Sequence, residues 1–170
     1  MELELGELDQ VLLSYDRNIG NLDEPMTKAT PDHFIDLQNA PAILWRLEQM
    51  GVDVGGRWQQ LADKAEARSG HIGHPLLVPH LMMALAATGR AAAAERFLGA
   101  LREAAANTAS WTAPAVADVI LPVCEAALAH RQGEYARAVD LLAPRREQIR
   151  LLGGSNAQRD LFTRMLVDAA

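Results

Sequence analysis

What this chain of 170 residues lacks excludes several classes of protein. Its single cysteine, Cys124, excludes an internal disulfide framework and a cysteine-based zinc site. Only two lysines are present, and the net charge of -6 argues against the basic face that nucleic-acid binding requires. No apolar run approaches the roughly 18 residues of a membrane span, and the acidic first residues do not resemble a secretory signal. We therefore expect a cytoplasmic protein that binds neither nucleic acid nor membrane.

Helical spacing of apolar residues is what the sequence does contain. Apolar side chains, many of them alanine, recur every three or four residues, and no short stretch alternates as a strand would. Hydrophobic residues make up 49% of the chain, and the mean hydropathy of -0.04 is typical of a folded domain with a core. The pattern predicts an all-α fold of about seven or eight helices.

A recurring turn template indicates how these helices are arranged. It consists of a glycine, an apolar residue two positions later, a small residue at the fifth position and a large one at the ninth. The copies are Gly89-x-Ala91-x-x-Ala94-x-x-x-Leu98, Gly133-x-Tyr135-x-x-Ala138-x-x-x-Leu142, Gly6-x-Leu8-x-x-Val11-x-x-x-Tyr15 and a weaker one from Gly51. Glycine ends the first helix in a left-handed conformation, and the small residue lets the two helices approach closely. This is typical of the turn and second helix of a tetratricopeptide-type hairpin.

The template predicts one helical-repeat domain over 1–170, an α-α superhelix of such hairpins. Its parts are a truncated repeat (1–18), a linker (19–32), hairpins 33–68, 75–106 and 114–152, and a C-terminal helix (156–170). We expect first helices at about 39–50, 75–88 and 114–131, and second helices at about 7–18, 56–68, 90–106 and 134–152. Asn39 and Ser155 are predicted N-cap residues, the latter in a capping box with Gln158, and Pro122 and Pro144 are expected to bend their helices.

Three segments carry a resemblance to a known family. They are LGGSNAQRDLF (152–162), NAPAILWRLEQMGVDVGGRW (39–58) and DVILPVCEAALAHRQGEYARAVDLLAPRREQI (118–149). With them, most of the chain resembles the C-terminal portion of the tetratricopeptide repeat protein 38 family, whose members are longer at both ends. The resemblance implies a scaffold of divergent helical repeats and brings no catalytic residues with it.

Three histidines are the candidate metal ligands. His71 and His74 lie in a glycine-rich loop, and His80 lies in the next predicted helix. Acidic residues from elsewhere would have to complete a zinc-type site, since no H-E-x-x-H motif accompanies them. The alternative is a polar loop that faces solvent. The residue pattern leaves both interpretations open.

The segment from 153 to 160 is a candidate anion site. A helix N-terminus with arginines nearby attracts phosphate or carboxylate groups, and the residues concerned are Arg145, Arg146, Arg150, Ser155 and Arg159. The alternative is a structural corner, in which Gly153 ends one helix and Ser155 caps the next.

The three tryptophans offer a similar choice between a ligand surface and a core. Trp45 and Trp58 flank one turn with leucines at core spacing, so we expect both to be buried. Trp111 stands in a predicted loop beside Thr112 and Pro114, where exposure is expected. Cys124 lies on an apolar helix face and is expected to be a buried structural thiol.

The predicted function is that of a non-catalytic scaffold that binds another protein in the groove lined by first helices, without a cofactor. Candidate groove residues are His80, Trp111 and Arg131. The alternative is a metal-dependent or hydrolase-like enzyme that uses His71, His74 and His80. We also expect a homodimer that covers one of two apolar faces, because the first helix lacks a hairpin partner and the last helix ends apolar too. Those faces comprise Leu8, Val11, Leu12 and Tyr15 in one helix and Leu161, Met165, Leu166 and Val167 in the other.

Overall fold

A computed structural model of the chain describes residues 8–20, 22 and 33–170. These residues form eight helices and no strand, which confirms the all-α prediction. In chain order the helices are α1 (Leu8–Asn18), α2 (Phe34–Gln49), α3 (Arg57–Ala67), α4 (Leu77–Ala87), α5 (Ala91–Ala106), α6 (Ala113–Arg131), α7 (Tyr135–Leu142) and α8 (Asn156–Ala169). Gly6, the side chain of Leu8 and most of the predicted linker 19–32 lie outside the described residues.

Three turns between helices share one hydrogen-bond pattern. Gly51, Gly89 and Gly133 have φ angles of 77°, 69° and 76°. In each turn the residue after the glycine donates its backbone N–H to the carbonyl oxygen five residues earlier. The pairs are Val52 to Leu47 at 3.0 Å, Arg90 to Leu85 at 2.9 Å and Glu134 to Ala129 at 2.9 Å. This is the Schellman motif, so the turn at Gly51, the weakest copy by sequence, is built like the other two.

The positions after the turn follow the template only in part. The small and large residues of the second and third hairpins are buried: Ala94, Leu98, Ala138 and Leu142. The apolar position two residues after the glycine is not part of the core, since Ala91 is exposed and Tyr135 is half exposed. The close approach of paired helices therefore depends on the alanines and not on the first apolar residue.

Helix α2 begins at Phe34, five residues before the predicted start at Asn39. His33 is the N-cap residue, and its Nδ1 accepts a hydrogen bond from the backbone N–H of Ile35 at 3.4 Å. Pro41, which we expected in the first turn, lies inside the helix. A proline there removes one backbone hydrogen bond, and burial of Leu37 and neighbouring apolar residues offsets that loss.

The two prolines expected to bend helices act differently. Helix α6 continues past Pro122, which is the second residue of an α-helical stretch that follows a π-helical segment, Val116–Ile120. Pro144 ends α7, because proline has no N–H to donate and its ring clashes with the carbonyl group four residues earlier. Two 3₁₀ segments follow, Ala143–Arg145 and Gln148–Leu152. The predicted second helix over 134–152 is therefore wrong beyond Leu142.

The helices form two layers with one further helix across them. The first helices α2, α4 and α6 lie side by side, α2 against α4 and α4 against α6. The second helices α3, α5 and α7 pack against the first helices. Helix α8 contacts α2, α6 and α7, so the last helix of the chain closes over the layer of first helices.

Helix α1 is covered by its own chain. Val11 and Tyr15 are only 8% and 3% exposed, and burial raises the pKa of the Tyr15 phenol. The Asp16 carboxylate accepts two hydrogen bonds from Arg57 of α3, at 2.7 and 2.8 Å, which lowers the Asp16 pKa. The expectation that this face lacks a partner within the chain is therefore wrong for Val11 and Tyr15.

Helix α6 is long and apolar enough to cross a membrane by length and composition alone. It has 19 residues, and its most apolar window has a mean hydropathy of 1.4. In the described part of the chain it is the one helix with these properties, and 61% of that window is buried inside the fold. The core helix of a folded domain has the same composition, so the finding is weak evidence for a membrane span.

Candidate functional site

Helix α8 occupies the groove that the first helices were predicted to leave open. Near its start, Gln158 Nε2 donates to Gln38 Oε1 of α2 at 3.2 Å, and Gln38 is itself buried. In its middle, the Phe162 ring lies edge-on to the ring of His80 in α4, with centroids 5.4 Å apart. Phe162 and the neighbouring Leu161 are completely buried. The groove therefore holds an amphipathic helix by its apolar face.

His80 lies at the centre of this groove, fully buried. Its Nδ1 lies 2.7 Å from the carbonyl oxygen of Leu76, so Nδ1 carries the proton and donates. Its Nε2 is buried and has no hydrogen-bond partner. Burial, with a smaller contribution from the charge of Arg46, lowers the His80 pKa from 6.5 to about 4. The imidazole is therefore neutral at pH 7, with one nitrogen whose lone pair is unused.

A second histidine fixes the C-terminal end of α8. His130 of α6 is 7% exposed, and its Nε2 lies 2.7 Å from Asp168 Oδ2. With its amide oriented to donate, Gln49 Nε2 of α2 contacts the same carboxylate oxygen at 3.1 Å. The ring contacts of His130 are with Trp45 and Tyr135, at centroid distances of 5.9 and 5.5 Å. Two first helices thus bind one carboxylate of α8.

An ion pair beside this carboxylate joins α2, α3 and α6. Arg131 donates two hydrogen bonds to Glu48, at 2.7 and 3.0 Å, and Trp58 Nε1 donates to Glu48 Oε1 at 2.9 Å. The Arg131 guanidinium also lies 5.9 Å from the centroid of the Trp58 ring. The space enclosed here is about 10 Å³, which suits one water molecule and no larger ligand.

A cleft of about 560 Å³ lies between α2 and the start of α8. The guanidinium of Arg46 lines it and donates to the carbonyl oxygens of Ala42 at 3.1 Å and Ala157 at 3.0 Å. The Asp160 carboxylate lies 4.0 Å from the same group. Burial lowers the Arg46 pKa. Arg46 of α2 therefore holds the start of α8 from inside this cleft.

The candidate anion site is a structural corner. Ser155 Oγ accepts from the Gln158 N–H, and the Gln158 side chain accepts from the Ser155 N–H, so the predicted capping box is confirmed. Arg159 donates to the carbonyl oxygens of Gly153 and Gly154. Arg145 donates to the carbonyl oxygens of Asp118 and Leu141, both at 2.8 Å, and Arg146 pairs with Glu147 at 3.4 Å. Ser155 and the three arginines are therefore each bonded to a different part of the chain and not to one shared site.

The candidate metal ligands are also separated by their contacts. His71 Nδ1 lies 3.2 Å from the Arg68 carbonyl oxygen, and the His74 ring stacks on Phe34 at 4.6 Å. His80 is enclosed in the groove under Phe162. In the described ranges, no group of three histidine, cysteine, aspartate or glutamate side chains is placed to hold a metal ion.

The tryptophan and cysteine predictions agree with the structure. Trp45 and Trp58 are buried at 5% exposure each, and Trp111 is 91% exposed. Trp111 precedes the start of α6 and Arg131 ends it, so about 27 Å of helix separates these two groove candidates. Cys124 is completely buried, and burial raises the pKa of its thiol.

Sequence reasoning missed the pairing of His130 with Asp168 and of Arg131 with Glu48. A usable signal for His130 existed, because it lies seven residues after Val123 and three after Ala127, on the buried side of α6. Nothing in the sequence indicated that Asp168 would meet it. No family model matches this chain, and no solved structure matches it.

Proposed function

We propose that this chain is a tetratricopeptide-like helical-repeat scaffold whose first-helix groove binds a helical segment of another protein. The observation that carries the proposal is that α2, α4 and α6 together hold an amphipathic helix, α8, through contacts from each of them. Helix-in-groove binding places apolar residues at helical spacing into such a surface. The three equivalent turns at Gly51, Gly89 and Gly133 support the repeat arrangement and its relation to the tetratricopeptide repeat protein 38 family.

Of the three groove candidates, Arg131 is the one that a partner can reach in the groove. His80 faces the inside of the groove and is out of contact with solvent while α8 is bound. Arg131 is the accessible candidate, since 36% of its side chain is exposed at the end of the groove. Trp111 is exposed on a loop away from Arg131 and belongs to a separate surface.

Arg131→Ala in the full chain tests the proposal. Proteins captured by immobilised wild-type chain are identified by mass spectrometry and compared with those captured by the variant. We expect one or more proteins that the wild-type chain captures and the Arg131→Ala chain does not. Arg137→Ala is the matched control, because Arg137 is an exposed arginine on α7 whose salt bridge, to Glu134 at 3.0 Å, lies on its own hairpin.

Two results would contradict the scaffold function. One is equal capture of every partner by wild type and Arg131→Ala. The other is equal loss for Arg131→Ala and Arg137→Ala, because the effect would then be one of surface charge. The metal-dependent alternative is not proposed, because no observation on the described residues favours it.

We also propose that the protein is cytoplasmic, binds neither nucleic acid nor membrane, and forms a homodimer. The net charge of -6 supports the absence of nucleic acid. For the dimer, the first and last helices each present an exposed apolar side chain, Leu13 at 55% and Val167 at 72% exposure. Light scattering at high protein concentration tests the dimer, and a monomer would contradict it.

A further inference from the structure

Helix α8 differs from the other helices of the core because it lies across all three first helices and contacts each of them through side chains. It follows Gly153 and Gly154, whose φ angles are 81° and 71°. Residues other than glycine rarely adopt these conformations, so two adjacent glycines give the chain an unusual freedom of direction at this point. Beyond them, α8 lies across helices that precede it by up to 120 residues. Its place in the groove therefore depends on side-chain contacts with distant helices as well as on the corner at Gly153 and Gly154.

The contacts of α8 are incomplete at the centre of the groove. His80 Nε2 is buried and has no partner, and the ring that carries it packs against the ring of Phe162. A buried acceptor without a hydrogen bond destabilises the state that contains it, and a benzene ring cannot supply the missing donor. The groove contains a hydrogen-bond acceptor that its present occupant leaves unused.

Polar side-chain contacts hold the two ends of α8. Arg46 and Gln38 bind the start, while His130 and Gln49 bind the carboxylate near the end. Asp168 remains 37% exposed, so water competes for its carboxylate. Such contacts orient a helix and can be exchanged for the same contacts from another molecule.

We propose that α8 is an internal competitor for the groove, and that the partner is an amphipathic helix with a hydrogen-bond donor at the place of Phe162 and a carboxylate at the place of Asp168. This inference rests on the proposed function and names the chemistry of its partner. The partner helix inserts apolar residues where Leu161 and Met165 now lie. Its donor satisfies His80 Nε2, and its carboxylate takes over the contacts with His130 and Gln49.

A peptide of residues 155–170, labelled with fluorescein, is the probe for competition. Its binding to the full chain is measured by fluorescence anisotropy. Wild type binds it weakly, because α8 already fills the groove and only the open fraction is available. Asp168→Ala in the chain weakens the internal helix alone, so we expect about tenfold tighter binding of the peptide. Asp140→Ala, an exposed aspartate on α7, is the control and binds like wild type.

A second variant opens the groove by another route. An alanine at Gly154 would place its Cβ against Leu76 and would keep the positive φ angle. Gly154→Ala therefore disturbs the corner that directs α8, and we expect tighter peptide binding again. Gly89→Ala is its matched control, because Gly89 has nearly the same φ angle, 69°, but nothing within 4 Å of its Cβ position.

The donor is tested with two altered peptides, in which the residue at the place of Phe162 is Tyr or Gln. At least one is expected to bind the Asp168→Ala chain about fivefold more tightly than the unaltered peptide, the effect of one net hydrogen bond. The gain disappears when His80→Leu is added to the chain, because leucine has no acceptor. Absence of the gain, or its persistence without His80, overturns the donor assignment.

Hydrogen exchange decides whether α8 leaves the groove in the wild-type chain. We expect its amides to exchange at a lower free energy of opening than those of α4. Equal protection of both helices, together with no peptide binding to either opened variant, overturns the inference. If Arg131→Ala still loses a partner in the capture experiment, that outcome leaves the scaffold function unaffected. If the peptide binds the opened variants but no captured protein depends on Arg131, the scaffold function alone is contradicted.

Discussion

The second and third hairpins have nearly the same turn but different second helices. At Gly89 and Gly133 the φ angles differ by only a few degrees, and the closing hydrogen bonds are both 2.9 Å. After these turns α5 runs for 16 residues, whereas α7 ends after 8. The difference lies in Pro144, which is absent from the equivalent place in α5. A shared turn therefore fixes how two helices meet, and local residues decide how far the second one extends.

The first helices of the same two hairpins also contain contrasting histidines. His80 in α4 is fully buried and neutral, with Nε2 unpartnered. His130 in α6 is slightly exposed and bonded to the Asp168 carboxylate. Both contact α8, so the last helix meets a neutral acceptor in its middle and an acid-binding group at its end. This contrast indicates that the groove distinguishes positions along a bound helix.

The largest effect is expected from the core of the longer hairpin. Phe97→Ala in α5 removes a fully buried ring and should lower the free energy of unfolding by about 3–5 kcal/mol. The comparison is Leu151→Ala in the 3₁₀ segment after α7, where the side chain is 50% exposed and the cost should stay below about 0.5 kcal/mol. Urea denaturation measures both. Similar losses for the two variants would show that α5 is not the stronger second helix.

The next largest effect is expected from acid, through His80. The His80 pKa is about 4 in the folded chain and 6.5 when unfolded, so unfolding takes up a proton below pH 6.5. The free energy of unfolding therefore has its full value, as far as His80 is concerned, above pH 6.5. It decreases as the pH falls from 6.5 towards 4. That loss is about 3 kcal/mol, at about 1.4 kcal/mol per pH unit.

His80→Leu isolates this effect from other titrating groups. The variant has an apolar side chain of similar size in place of the imidazole. Its free energy of unfolding should therefore fall much less than that of wild type between pH 6.5 and 4. Thermal or urea denaturation at a series of pH values measures the difference between the two chains. Parallel curves for wild type and His80→Leu would refute the assignment of acid sensitivity to His80.

The smallest effect tests the equivalence of the turns. Gly51→Ala, Gly89→Ala and Gly133→Ala each force alanine into a positive φ angle without a steric clash. Each variant should lower the free energy of unfolding by about 1 kcal/mol, and the three losses should be equal within error. Gly99→Ala is the control of opposite sign, because Gly99 lies inside α5 with open space around it and alanine favours a helix by about 1 kcal/mol. Unequal losses among the three turns would break the comparison.

Local features of the sequence predicted most of the fold. The positions of seven helices, the glycine turns, the capping box at Ser155 and the burial of Trp45 all depend on residues close together in the chain. Prolines were less informative, because their effect depends on packing. Pro41 stands inside α2, where buried neighbours maintain the helix, whereas Pro144 ends α7.

The candidate site was harder to predict because its contacts are distant in sequence. The apolar residues of α8 were recognised as a face that needs covering, but a face does not specify its partner. Whether Phe162 meets a second copy of the chain or His80 of the same chain depends on the assembled groove. For the same reason His80 was expected at a surface and is instead completely buried.

The placement of the three tryptophans makes the groove accessible to fluorescence spectroscopy. The ring centroids of Trp45 and His130 are 5.9 Å apart, and Trp58 donates a hydrogen bond to Glu48 beside Arg131. Both indoles therefore report on the end of the groove where Asp168 is bound. Trp111 is 91% exposed and emits from an aqueous environment. Replacing it as Trp111→Phe removes the solvent-exposed emission and leaves two buried emitters. Departure of α8 then registers as a change in their wavelength and quenching, without any added dye.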